Sequence, residues 1–298
     1  MKTARFLVFL LMVAQAFCLL GPVTQAAAPK TLCRVGYSMH TMSDVDPKDA
    51  EAALRVWVNE LAAQYDFHVD IKMYKDVEEL VKDFHRRKLD FIVLNSVDYL
   101  RQSGALKAGP DVTQIRNGKA TVKYVVLVGD RAAQGAIEGM KQKKLAVARG
   151  HSLGRIFLDV WLMRNKLQPA ERFFSDIQEK SKDAQAILDT FFGRSDACLV
   201  TEAAYKMMVE LNPQVGKKLR VVAESPELVA SVGVFHPDYP QELRQRAIKG
   251  MSSDYMQHER GKQIILLFNV ERMERISDHQ FASVQRLIAD HERLKPTP

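Results

Sequence analysis

From Thr31 onward, short apolar runs of strand length alternate with stretches whose apolar residues recur at helical spacing, and the alternation happens twice. That pattern points to sheets whose strands are joined by covering helices, an α/β architecture. Thr31–Val35 reads as a strand, and Gly36-Tyr37-Ser38 opens a polar loop to Pro47. Pro47 suits the first position of a helix capped by Asp46, and Ala52, Leu54, Val56, Trp57, Leu61 and Ala62 follow at helical spacing. Phe67–Met73 alternates as a strand does. Val77–Lys88 places Val77, Leu80, Val81 and Phe84 on one helical face. Leu89–Leu94 reads as a buried strand running into Asn95-Ser96 and a helix through Tyr99. This β-α-β-α-β order is that of a doubly wound parallel sheet.

The second pass predicts strands at Val122–Val128, Leu145–Ala148, Phe173–Gln178 and Ala197–Val200. Between and after them come helices at Ala132–Lys141, Ser152–Arg164, Lys182–Phe192 and Glu202–Leu211. Strands at Leu219–Ala223 and Val229–Phe235 and helices at Pro240–Met256 and Phe281–Leu294 close the chain. One half echoes the other: RRKLDFIVLNSVDYL resembles FGRSDACLVTEAAYKM. In each, an Asp precedes a buried strand, a polar residue follows it, and the next helix carries a Tyr. Two such half-sheets facing each other would enclose a cleft lined by strand ends. Any two αβα units would share as much, so the echo leaves both readings open.

The N-terminus carries Lys2 and Arg5, an apolar run from Phe6 to Leu20, then Gly21-Pro22 and the small residues of Thr24–Ala28. That is the order of a secretory signal peptide, cut after Ala26 or Ala27. The run is short of the roughly 20 residues that span a bilayer. Cys18 follows the bulky Phe17 and reads as an apolar residue of the signal. Residues 1–26 are therefore expected to be removed and the rest to reside in the periplasm. The remaining length exceeds a single core and suggests two lobes of roughly 100–150 residues. The expected division is 29–120 plus 232–298 for lobe I and 121–231 for lobe II.

The formal charge of +7 includes two cations of the signal. A positive surplus suits capture of an anion by the local field, and equally suits solubility. No basic run is interleaved with aromatics, so no nucleic-acid partner is expected. An exported protein could pair Cys33 with Cys198, but they fall in apolar strand-like runs of different lobes and read rather as two buried, inert thiols.

No Gly-x-Ser-x-Gly, His-Glu-x-x-His, Walker or GxGxxG motif is present, so neither an enzyme nor a cofactor is expected. The eight His are scattered without metal-ligand spacing, and no metal is expected. The sharpest local feature is Ala148-Arg149-Gly150-His151-Ser152-Leu153-Gly154-Arg155, after a strand and at a helix start. Free N–H groups and the helix dipole attract anions at such a turn. Ser152 can add its hydroxyl, or simply cap the helix, and Arg149 and His151 lie beside it. Ligands of parallel sheets bind beyond the carboxyl ends of strands. Tyr37, Ser38, Asn95, Ser96 and Thr201 occupy such ends and are candidate ligand contacts. Asp90 and Asp196 precede strands and read as structural. Asp183 with His151 is the one pair a catalytic reading could nominate.

These residues carry a resemblance. VGYS, LDFIVLNSVDYL, VARGHSLGR and FFGRSDACLV, in that order, resemble the phosphate/phosphite/phosphonate-type periplasmic binding proteins from about Leu32 to Phe268. The resemblance implies a type II periplasmic-binding fold with two lobes joined by two crossing strands. It also implies a monomer that delivers a small anionic ligand to the permease of an ABC importer. The chain departs from the family at the ligand. The Ser/Thr-rich turn reads His151, Ser152 and Leu153 before Gly154, and a family His falls at Asp183. A carboxylate there repels a phosphonate unless protonated or paired. The alternative is a periplasmic sensor feeding a receptor such as a histidine kinase, which the same lobes would serve.

Overall fold

A computed structural model describes residues 30–41, 47–129, 137–253, 257, 259–276 and 278–295. The expected signal, the Asp46 cap and most of the helix expected at Ala132–Lys141 lie outside the described residues. Residues 137–140 of that helix form a 3-10 turn.

Two sheets organise the chain. The first contains β1 (Thr31–Ser38), β2 (Phe67–Tyr74), β3 (Phe91–Asn95), β4 (Val112–Ile115), β10 (Ser231–Phe235) and β11 (Arg272–Arg275). The second contains β5 (Tyr124–Gly129), β6 (Lys144–Ala148), β7 (Asp176–Lys180), β8 (Ala197–Thr201) and β9 (Leu219–Glu224). The first has the order β11-β4-β10-β3-β1-β2 and the second β7-β6-β8-β5-β9. Read from the β2 and β7 ends, the two orders match, with β3 and β8 in equivalent central places. The sequence echo falls on these two strands.

Burial explains the strand signals. Every residue of β3 is buried, as an apolar run covered on both faces requires. The edge strand β2 buries Phe67, Val69 and Ile71 and exposes His68, Asp70 and Lys72, the alternation of a half-covered strand.

Neither sheet is purely parallel. β1 pairs in parallel with β2 and β3, but β10 runs antiparallel to β3. Likewise β6 is parallel to β7 and β8, and β5 antiparallel to β8. The antiparallel members flank the two places where the chain changes sheets. After β4 it turns at 116–119, where Arg116 and Lys119 exchange backbone hydrogen bonds of 2.9 and 3.0 Å, and enters β5. After β9 it returns through 225–230 to β10. The two crossings are bonded to each other: Val122 N–H donates to the Leu228 carbonyl at 2.7 Å and Leu228 N–H to the Val122 carbonyl at 2.9 Å.

Periodicity missed the four-residue strands β4 and β11, which are too short to show alternation. The stretch read as a strand over Phe173–Gln178 divides into a helical turn, Ala170–Phe173, and β7 two residues later. The apolar run Ile264–Phe268 belongs to a helix, Glu259–Phe268, of the first lobe. The helix expected at Pro240–Met256 spans Gln241–Met251, and 254–256 lie outside the described residues. No helix among the described residues is long and apolar enough to cross a membrane.

The terminal helix Asp278–Leu294 packs mainly on the helix Ser152–Arg164 of the second sheet and also reaches the helix Ser96–Leu106 of the first. Phe281 meets Tyr99 edge-on at 5.4 Å, Arg164 pairs with Asp290 at 2.5 Å, and His291 lies 3.2 Å from Asp159. This helix bridges both lobes behind the crossings.

Cys33 on β1 and Cys198 on β8 are free and buried, in different sheets. Burial pushes both thiols up to about 12. Neither is expected to alkylate in the native protein at pH 8, because the thiolate is the nucleophile. Iodoacetamide labelling read by peptide mass, before and after denaturation, checks this; rapid native labelling of either one would place it at the surface.

Candidate functional site

A cleft of about 510 Å³ opens between the sheets at their strand ends, within the size range of small-ligand sites. His40, Asn95, Gln114 and Ser231 line it from the first lobe, Arg116 to Lys123 from the crossing, and Tyr124, Gly150–Leu153, Asp183, Thr201 and Glu202 from the second. A smaller cavity of about 170 Å³ lies inside the first lobe, walled by apolar side chains such as Leu54, Ile71 and Phe235. It lacks the convergent charged and polar groups that the interlobe cleft offers.

The second-lobe wall begins at the end of β6. Gly150 adopts φ +80°, a left-handed conformation that glycine takes without a Cβ penalty. It turns the chain so that His151 becomes the N-cap of the helix Ser152–Arg164, without a side-chain cap bond. Ser152 is therefore the first helical residue and not the cap. The N–H groups of Leu153 and Gly154 stand in the first turn, where no carbonyl lies one turn earlier. This helix start faces the cleft and favours negative charge. Gly154 is required for another reason: a Cβ there would stand 2.8 Å from Cδ1 of Tyr124. Its absence lets the helix start close on the Tyr124 ring, which meets His151 edge-on at 5.1 Å.

Asp183 opens the next helix, Asp183–Phe191, and its Oδ2 accepts from Thr201 Oγ1 at 2.6 Å and Thr201 N–H at 3.2 Å. Thr201 Oγ1 in turn accepts from Ala204 N–H at 3.3 Å, capping the helix Glu202–Leu211. Asp183 Oδ1 faces His151 Nδ1 at 3.5 Å, and both atoms are buried without a hydrogen-bond partner. Burial raises the Tyr124 phenol above its ordinary value, and the Asp183 charge adds to that.

On the opposite wall Asn95 caps the helix Ser96–Leu106. Its Oδ1 accepts from Asp98 N–H at 2.8 Å while its Nδ2 donates to Asp98 Oδ2 at 2.7 Å. His40 Nδ1 lies 2.8 Å from the same oxygen. Gln114 Nε2 donates to the Tyr37 hydroxyl, and its Oε1 accepts from Arg116 at 2.8 Å and Ser231 Oγ at 3.1 Å. Arg116 also donates to the Phe268 carbonyl at 3.1 Å. Cleft lysines are offset by carboxylates: Lys119 by Glu227, Lys123 by Glu202 and Glu224, and Lys206 by Glu202. Among the described residues Arg116 forms no ion pair, so its charge stays available to a ligand.

Of the residues nominated from sequence, Asn95, His151, Ser152, Asp183 and Thr201 meet in the cleft lining. Ser38 and Ser96 are fully buried and lie outside that lining. Ser38 Oγ accepts from His40 N–H at 3.3 Å, and Ser96 Oγ donates to the Val229 carbonyl at 2.6 Å, tying the first lobe to the return crossing. Tyr37 stands behind Gln114 and faces the apolar cavity. Arg149 is 66% exposed and turns to Glu179 at 3.9 Å. Asp90 and Asp196 are structural: Asp90 chelates the Arg34 guanidinium at 2.6 and 2.9 Å, and Asp196 accepts from Lys144 N–H at 2.9 Å. Sequence reading passed over Gln114, Arg116 and Tyr124. The available signal was Asn117-Gly118, whose left-handed φ values of 50° and 70° form the tight turn beside Arg116. Among the described residues no group of three His, Cys, Asp or Glu side chains could hold a metal.

Comparison with known proteins agrees with this architecture. Among curated proteins no match is found. A solved phosphonate-transporter binding protein from Pseudomonas aeruginosa is 11% identical, with TM-score 0.61 over 89% of this chain and 88% of that one. The Prochlorococcus marinus protein PhnD1, determined in complex with methylphosphonate, is 16% identical, with TM-score 0.62 over 89% of this chain and 99% of that one. A Xanthomonas citri protein determined with bound chloride is 13% identical, with TM-score 0.62 over 88% and 98%. These likenesses show the fold: two lobes of the type II periplasmic-binding kind. A family model described as the ABC transporter phosphonate periplasmic substrate-binding protein matches residues 39–281, which takes in both walls of the cleft and both crossings. Two matched half-sheets, a doubly crossed hinge and that span lead to one assignment: the chain belongs to the phosphonate-type periplasmic substrate-binding proteins of ABC transporters, a family of binding proteins rather than enzymes.

Proposed function

We propose that this cleft captures a small oxyanion of the phosphonate class and presents it, with the lobes closed, to the permease of an ABC importer. The observation that carries the reading is the convergence of an unoffset Arg116 with the open N–H groups and Ser152 at one helix start. Both favour negative charge, and they approach the cleft from different elements. The lobes, with boundaries near 29–120 plus 232–298 and 121–231, move about the paired crossings at Val122 and Leu228. Contacts made only in the closed state shift the equilibrium toward it. The protein acts as a monomer in the periplasm, reached through a signal within residues 1–26.

Thermal melts against phosphate, phosphite, methylphosphonate, 2-aminoethylphosphonate and methanesulfonate test this. A phosphorus oxyanion at 100 times its dissociation constant is expected to stabilise the protein by about 2.7 kcal/mol. Ser152→Ala and Arg116→Ala are each expected to shrink that shift. Melting curves unmoved by every phosphorus oxyanion would reject the assignment of ligand class.

A further inference from the structure

We infer that Asp183 is a positioning residue for His151, and that His151 gains a proton when the cleft takes its anion. The inference rests on the oxyanion reading above. Two bonds from Thr201 hold Asp183 Oδ2, so the carboxylate cannot turn away from His151. The other oxygen faces His151 Nδ1 at 3.5 Å, beyond a good hydrogen bond, and both atoms are buried without a partner. Leaving two such atoms unsatisfied is costly, and one proton on Nδ1 aimed at Oδ1 satisfies both. With Nδ1 turned to Asp183, the ring edge left for the cleft is Nε2.

In the neutral ring that proton placement makes Nε2 an acceptor, which opposes the lone pairs of an oxyanion. Protonation makes it a charged donor, and the carboxylate behind it offsets the new charge. An anion in the cleft therefore favours the doubly protonated ring, and by linkage affinity rises as pH falls. The same pairing explains how a carboxylate sits in an anion cleft: Asp183 acts on the ligand through the imidazole.

Other charged and titratable groups surround the pair. Tyr124 from β5 meets the His151 ring at 5.1 Å and feels the Asp183 charge. Cys198 from β8 feels that charge as well. Arg116 reaches the cleft from the crossing. Arg149 and Arg155, in the His151 turn, are engaged by Glu179 at 3.9 and 2.8 Å. None of them is placed to take the proton between Nδ1 and Oδ1.

Ring 15N resonances of the purified protein, titrated with and without saturating methylphosphonate, test the inference. The His151 signal is the one lost in His151→Gln, an assignment that does not need the variant to bind. The free neutral ring is expected to carry its proton on Nδ1, and the titration midpoint to rise by about one pH unit on saturation. Asp183→Asn is expected to abolish the Nδ1 preference and shrink the rise. Thr201→Val, which frees the carboxylate, is expected to do so in part and serves if Asp183→Asn does not fold. A midpoint that stays or falls on binding, or a neutral ring protonated on Nε2, overturns the inference while leaving the oxyanion reading standing. Failure of methylphosphonate and phosphate to move any resonance or the melting curve removes both.

Discussion

Gly154→Ala is expected to weaken oxyanion binding ten- to a hundredfold, about the loss of one charge-assisted hydrogen bond, while changing stability little. The new Cβ would stand 2.8 Å from Cδ1 and 3.0 Å from Cε1 of Tyr124. Either the ring or the helix start must move by several tenths of an ångström. The ring is buried and packs edge-on against His151, so its shift carries the imidazole with it. A shift of the helix moves Ser152 and the first-turn amides instead. Both routes misplace the donors, and binding sites depend on sub-ångström support. In stability terms the clash is opposed by alanine's better helix propensity, about 1 kcal/mol over glycine. Calorimetric titration with methylphosphonate, beside a thermal melt, checks both halves. Pairing the change with Tyr124→Leu should relieve the strain without restoring affinity. Undiminished affinity in Gly154→Ala would show that the turn has room to adapt.

The largest stability effect is expected at Asp111→Ala, in the first lobe and away from the cleft. Asp111 is buried at the entry to β4, where Oδ2 accepts from Phe235 N–H at 2.8 Å and Oδ1 from Arg244 Nε at 2.8 Å. Its own N–H donates to the Gly233 carbonyl at 2.9 Å. One side chain thus joins β4, β10 and the helix Gln241–Met251. Removal leaves a half-buried guanidinium and a buried N–H without partners. A buried pair broken on one side costs about 3–5 kcal/mol, and the partial exposure of Arg244 places this one near the lower end, about 3 kcal/mol. For a protein of this size that lowers the melting temperature by roughly 6–12 °C. Asp111→Leu combined with Arg244→Met is expected to recover much of the loss, since apolar replacement of a whole buried pair is often neutral. A drop below about 1 kcal/mol in Asp111→Ala would mean that water replaces the carboxylate.

How much of this was legible in the sequence follows from where the signals lie. β3 could be read because Phe91–Leu94 is apolar throughout, whereas the Asp–strand–polar–Tyr echo left the equivalence of β3 and β8 open until the strand orders of the two sheets placed them alike. The helix start at Ser152 could be read because Gly150 and Ser152 are local signals. β4 and β11 could not, since a strand of four residues carries too little periodicity. The antiparallel members escaped notice because strand direction depends on where the chain crosses between lobes.

The linear order of residues determined the α/β class, the repeated alternation of strands and helices and the turn at 148–155, because each follows from local periodicity and backbone preference. Only the tertiary structure decided which polar strand ends share the cleft. It sent Ser38, Ser96 and Arg149 away, brought in Gln114, Arg116 and Tyr124, and set Asp183 against His151, 32 positions apart in the chain. Spacing says which element a side chain rides on, but its partner is fixed by how two sheets face one another, and that is a long-range contact no local pattern encodes.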